Sequence, residues 1–221
     1  MAYFTGPNIV TDGLVYAMDA GSARSYDGTT SLDDLVGENT GTLINGVTYQ
    51  SINGGVFDFD GTDDYVNIPN YTGHQYTTGT MAAWVKPDST SGNVYVFGAG
   101  GTTTYGATRA LRINGGYWGV VGYGGSNEDW GTGKGASTNW QHVGIGWSGT
   151  TYYFYLNGVR TSAIRTGLVT PNGSILRIGN PPFNTSEEIN AKIAALICYS
   201  NVLTEAQMLQ NFNAQKSRFG L

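Results

Sequence analysis

Asparagine-glycine and aspartate-glycine pairs punctuate this chain, at Asp27-Gly28, Asn45-Gly46, Asn53-Gly54-Gly55, Asp60-Gly61, Asn114-Gly115-Gly116, Asn157-Gly158 and Asn172-Gly173. Such pairs reach positive φ at little cost, which is what a tight turn between antiparallel strands demands. The runs between turns, such as 56–60, 65–68, 81–85, 94–97, 117–121 and 152–156, are short and rich in Val, Ile, Tyr and Phe. Runs of that length and make-up read as strands, and turns this frequent leave little room for long helices. The chain is expected to be all-β.

Side-chain alternation supports this. Val143, Ile145 and Trp147 fall on one face of a strand, with His142, Gly144 and Gly146 on the other; the first face is expected to be core. Trp84, Trp140 and the 152–155 aromatic run are likewise assigned to the core. In the late segment 189–199, the alternate set of Asn190 and Lys192 gives way to Ala194, Leu196 and Cys198. This strand is expected to enter from a sheet edge and finish between layers. One helix is predicted, Glu205–Gln215, with Thr204 and Gln207 as a capping box and Met208, Leu209 and Phe212 as its apolar stripe. No linker or shift of composition divides the sequence, so residues 1–221 read as one domain.

Composition excludes several classes of partner. Charged residues make up 12% of the chain, the net charge is -5, and no basic cluster is available to neutralise phosphates, so no nucleic-acid partner is expected. There is no apolar run long enough to span a bilayer, and the opening Met-Ala-Tyr-Phe-Thr-Gly-Pro lacks the basic and apolar regions of a secretion signal. Neither a membrane partner nor a leader is expected. With Cys198 alone and two separated histidines there is no zinc-type spacing, and no cofactor is assigned.

Five motifs, in order, carry a family resemblance. They are Phe57-Asp58-Phe59-Asp60-Gly61-Thr62-Asp63-Asp64-Tyr65-Val66, Met81-Ala82-Ala83-Trp84-Val85-Lys86-Pro87, Asn139-Trp140-Gln141-His142-Val143, Tyr155-Leu156-Asn157-Gly158-Val159 and Leu176-Arg177-Ile178-Gly179-Asn180. Together they resemble the laminin-G-like group of the concanavalin A-like lectin/glucanase superfamily. That resemblance implies a two-sheet antiparallel jelly-roll sandwich with one short C-terminal helix. The opening Gly13-Leu14-Val15-Tyr16-Ala17-Met18-Asp19-Ala20-Gly21 also resembles laminin-G-like modules of phage virion proteins. It implies a virion surface protein made in the host cytoplasm. Fold does not fix function, so the site has to be argued from its own residues.

Glucanases of the superfamily carry Glu-x-Asp-x-(x)-Glu on one strand. Glutamate occurs here only at Glu38, Glu128, Glu187, Glu188 and Glu205, and none begins that pattern. A substitute pair, Asp58 and Asp60, would project from one face of a strand about 6.6–6.8 Å apart, a spacing suited to an inverting glycoside hydrolase. Asp60 also opens a turn, where a carboxylate binds its own backbone. The chain is therefore read as non-catalytic, with a glycoside hydrolase or lyase as the alternative. Asp60, Asp63 and Asp64 offer hard oxygens of the kind Ca²⁺ takes, or caps for the same turn, and no metal residue is assigned. Gly131-Thr132-Gly133-Lys134-Gly135 lacks the Ser/Thr of a phosphate loop and reads as a flexible loop.

Carbohydrate recognition on a sandwich sets aromatic faces against sugar C–H faces, with amides, acids and backbone groups fixing hydroxyls. Residues 98–139 supply these most densely. The candidate contact residues are Tyr105, Tyr117, Trp118, Tyr123, Asn127, Asp129 and Trp130. Their partner would be a cell-surface glycan. The same low-charge, tyrosine-rich surface equally suits contacts with other virion proteins or self-association into a homo-oligomer, the module then decorating a capsid or tail.

Overall fold

The computed structural model describes residues 7–102, 108–122, 129–149, 151–161, 172–183 and 186–221, with backbone alone for Asp129 and Trp130. Sixteen strands occur among them. The first eight are β1 (Leu14–Asp19), β2 (Ser31–Leu32), β3 (Gly41–Ile44), β4 (Thr48–Gln50), β5 (Val56–Asp60), β6 (Tyr65–Pro69), β7 (Thr78–Pro87) and β8 (Asn93–Gly100). The remainder are β9 (Arg109–Asn114), β10 (Tyr117–Gly122), β11 (Asp129–Gly135), β12 (Gln141–Ser148), β13 (Thr151–Leu156), β14 (Val159–Arg160), β15 (Ile175–Ile178) and β16 (Asn190–Tyr199). One α-helix follows, α1 (Glu205–Gln215), and a 3-10 turn closes the chain at Lys216–Phe219.

The strands form two eight-stranded antiparallel sheets. The first runs β14-β13-β12-β7-β16-β5-β4, with β1 also on β16, and the second runs β11-β10-β9-β8-β15-β6-β3-β2. Every pairing between named strands is antiparallel, as the jelly-roll expectation requires. Between the sheets lies one core. Phe57, Phe59, Met81, Val85, Val143, Ile145, Trp147 and Phe154 from the first sheet meet Val66, Ile68, Phe97, Leu111, Ile113, Trp118, Val120 and Ile178 from the second.

β16 departs from the expectation. It lies inside the first sheet, pairing with β7 along one side and with β5 and then β1 along the other. Its polar opening residues therefore mark an uncovered sheet face, not a sheet edge. Farther along, helix α1 and the chain end cover that face. Ala17, Ala82, Tyr155, Ile197 and Tyr199 pack with Leu203 and Met208, and Trp84, Trp140 and Ala195 pack with Phe212 and Phe219. For this reason His142, Gly144 and Gly146, expected opposite the core, are buried as well.

Helix α1 is fixed at its start by the predicted capping box. The Gln207 N–H donates to Thr204 Oγ1 at 3.2 Å and the Thr204 N–H to Gln207 Oε1 at 2.9 Å. Just ahead, the Tyr155 hydroxyl donates to the Leu203 carbonyl at 2.6 Å, and the Leu203 N–H to Thr80 Oγ1 at 2.9 Å. The buried face differs from the predicted stripe. Met208 and Asn211 face inward, whereas Leu209 is 43% exposed. Asn211 accepts the Val10 N–H at 2.8 Å and donates to the Tyr199 hydroxyl at 3.0 Å, so a hydrogen-bonded amide fills a place that an apolar-stripe reading gives to leucine.

Candidate functional site

The hairpin of β9 and β10 turns through Gly115 and Gly116, at φ 57° and 89°. Both are positive, the condition for a two-residue turn whose twist matches its strands. Alternation then sends Leu111, Ile113, Trp118 and Val120 into the core, and leaves Asn114, Tyr117 and Gly119 on the outer face. The 131–135 segment, expected as a loop, is the edge strand β11, with Gly135 opposite Tyr117 and Gly131 opposite Gly119. The Thr132 hydroxyl adds a bond to the Trp118 carbonyl at 2.9 Å. Ladder bonds hold both ends of this segment, and between them β11 bulges, with Gly133 at φ 69°.

A groove of about 410 Å³ opens on this outer face, lined by Asn114, Tyr117, Trp118, Gly119, Gly131 and Gly133. Its floor is largely bare backbone. A Cβ added at Gly131, Gly133 or Gly135 would meet no heavy atom within 4 Å. Tyr117 stands beside the floor, 55% exposed. The arrangement offers an aromatic face, an amide side chain and a closely approachable peptide surface, which is what a ring-shaped hydroxylic ligand can use.

Among the candidate contact residues, Tyr117 lies in the groove. Trp118 is corrected: the residue is fully buried, and its ring lies on the core side, 6.4 Å from the Phe154 ring. Strand alternation puts it on the face opposite Tyr117. Trp130 and Asp129 lie on β11, not in a loop, their backbones paired with Val120 and Val121. Tyr105, Tyr123 and Asn127 lie outside the described residues. The floor glycines Gly119, Gly131 and Gly133 are not among the candidates, and the bulge that brings Gly133 to the floor depends on pairing with β10, which no local spacing announces.

The acidic corner belongs to the outer face of the first sheet. Asp58 and Asp60 do share that face, opposite Lys192 and Asn190 of β16. Their roles differ. Asp58 is 3.0 Å from Lys192 Nζ and accepts from Gln50. Partial burial works against the Lys192 charge, but the hydrogen bond and charge of Asp58, with Asp88 behind, hold its ammonium above the usual lysine value. Asp60 caps the turn by accepting the Thr62 N–H at 2.7 Å. Asp64 accepts the Asp60 N–H at 3.1 Å, and burial, with the neighbouring acids adding to it, raises its carboxyl above the usual range. One ligand atom each from Asp60, Asp63 and Asp64 falls within 4.8 Å of the others.

Comparison with known proteins bears on the fold. The Laminin_G_3 family model, described as concanavalin A-like lectin/glucanases superfamily, matches residues 60–208. No curated protein matches the sequence. Among solved structures, Trypanosoma rangeli sialidase in complex with 2,3-difluorosialic acid superposes with a TM-score of 0.71 at 18% identity, over 96% of this chain and 35% of that one. The binding domain of Botulinum Neurotoxin DC in complex with SialylT gives 0.72 at 14% identity, over 92% and 52%. The present chain thus spans from a third to a half of those longer chains, and at such identity the likeness is one of fold. A family model that runs from the β5 turn into helix α1, set on two antiparallel sheets, leads to one conclusion: the chain belongs to the laminin-G-like family Laminin_G_3 of the concanavalin A-like lectin/glucanase superfamily.

Proposed function

We propose that this chain is a non-catalytic carbohydrate-binding module whose ligand lies in the groove of β9, β10 and β11. The observation that carries the reading is the glycine-floored groove with Tyr117 exposed at its side. Membership of a lectin-containing superfamily supports carbohydrate binding in general, as does the fold shared with a toxin binding domain in complex with SialylT. The Asp58–Lys192 ion pair and the turn-capping role of Asp60 also support a non-catalytic reading, because each acid already has a structural task.

The test is glycan-array binding followed by calorimetry on the best ligand. Tyr117→Ala is expected to weaken binding about tenfold, or about 1.4 kcal/mol, with no change in fold. Absence of binding to every glycan, or release of sugar from a polysaccharide that Asp58→Asn abolishes, overturns the reading. Placement on a phage particle, as decoration of capsid or tail, is a second reading. It rests on the opening segment at 13–21, and co-sedimentation with purified particles tests it.

A further inference from the structure

We propose that the groove on β9, β10 and β11 takes an uncharged glycan segment and discriminates against sialylated or uronate-containing sugars. The inference rests on the carbohydrate-binding reading and narrows it to a class of ligand. A sugar carboxylate brought onto a protein surface loses water, and that loss is repaid only by a cation or several aligned donors. Uncharged pyranoses need no such group. A stacking ring, an amide and exposed peptide edges are enough for them.

The groove is furnished for the second case. Among the described residues that line it there is no Lys, Arg or His. Arg112 is the cation to consider, because it pairs with Gly119 of the floor. Its guanidinium is directed to β8 instead. Nη1 donates to Asn93 Oδ1 at 2.6 Å, the group lies 5.7 Å from the Tyr95 ring centroid, and the residue is 9% exposed. Lys134 lies between Gly133 and Gly135 on β11 but does not line the groove.

The overall charge points the same way. The chain as a whole carries a net charge of -5. An anionic sugar therefore meets a chain of net negative charge and, among the described residues that line the groove, no cation. The bare floor adds a shape requirement: a flat ring can lie against Gly119 and Gly131 where any larger residue would hold it off.

The experiment compares uncharged hexose and N-acetylhexosamine oligomers with sialylated and uronate-containing ones on the whole chain, in low and high salt. It is repeated with Gly131→Val. A side chain at Gly131 enters open space within the groove, so the variant fills the site without a clash in the protein, and an unchanged melting temperature checks this. The expected result is binding of uncharged oligomers, shifted less than about twofold by salt and weakened about tenfold or more by Gly131→Val. Preference for sialylated or uronate sugars that Gly131→Val abolishes overturns this inference and leaves the carbohydrate-binding reading standing. Binding of uncharged oligomers that Gly131→Val leaves untouched overturns the assignment to this groove, and no glycan binding at all overturns both.

Discussion

The outer faces of the two sheets were built by opposite means. On the first sheet, Trp84 lies under Phe212 and Phe219, with ring centroids 5.5 and 4.2 Å away, and Trp140 is 4.5 Å from Phe219. Large rings there were covered by a helix and a chain end. On the second sheet, the β9–β11 margin carries Gly119, Gly131 and Gly133 with Tyr117 beside them, and it stays open. Large rings on the first sheet mark packing, with the alternate glycines Gly144 and Gly146 buried beside them, whereas the glycines of β10 and β11 mark a face left free for something else. A face with bulky apolar residues must be buried, and a face stripped of side chains leaves no such need.

Three perturbations would break or sharpen this contrast. The largest effect is expected at Trp84, which is 1% exposed. Trp84→Ala should lower stability by about 3–5 kcal/mol in urea unfolding, since it leaves a cavity beneath both phenylalanines. A loss below about 1 kcal/mol would mean that the helix layer is not held by this stack.

Acid comes next, because two imidazoles are buried on or near these packed surfaces. His142 is fully buried beside Trp84, neither ring nitrogen has a partner among the described residues, and burial lowers its pKa to about 3. His74 is lowered to about 4 by burial, with the Arg109 cation adding to it and the Asn172 and Gly173 backbone pulling the other way. Both folded values lie below the unfolded value of about 6.5, so as pH falls the unfolded chain takes up protons that the folded chain refuses. Stability is thus full above about pH 6.5 and declines toward pH 3, by about 1 kcal/mol per pH unit for each histidine. Urea midpoints between pH 7 and pH 4 check this. His142→Leu should flatten part of the slope, and an unchanged slope in that variant would remove His142 from the account.

Smallest is the acidic corner. The Asp58–Lys192 pair is partly exposed, at 25% and 18% for the two side chains, so Asp58→Asn should cost about 0.5–1 kcal/mol and leave glycan affinity unaltered. A fall in affinity would shift attention from the glycine floor to the groove of about 450 Å³ that Asp58, Asp60, Asp64 and Asp88 help to line.

Much of the fold could be read from local chemistry. The turn at Asn114-Gly115-Gly116, the capping box at Thr204 and Gln207, and the core alternation of Val143, Ile145 and Trp147 each depend on residues close together in the chain. The misreadings have a shared cause. Apolarity alone puts Leu209 in the stripe, but Asn211 takes the inward place through Tyr199 and through Val10, 201 residues away. Gly131 to Gly135 reads as a loop because glycine has low strand propensity, and only the ladder from β10 makes it a strand. Adjacency in the sequence puts Trp118 beside Tyr117, though neighbours on a strand face opposite ways.

The sequence alone determined the short-range terms: where the chain turns, which residues alternate toward an interior and where the helix begins. Only the tertiary structure decided which second faces are covered, which strand lies inside a sheet and where an open floor remains. Those outcomes depend on contacts between segments up to two hundred residues apart, such as Val10 with Asn211, and no local preference encodes what will arrive from so far along the chain.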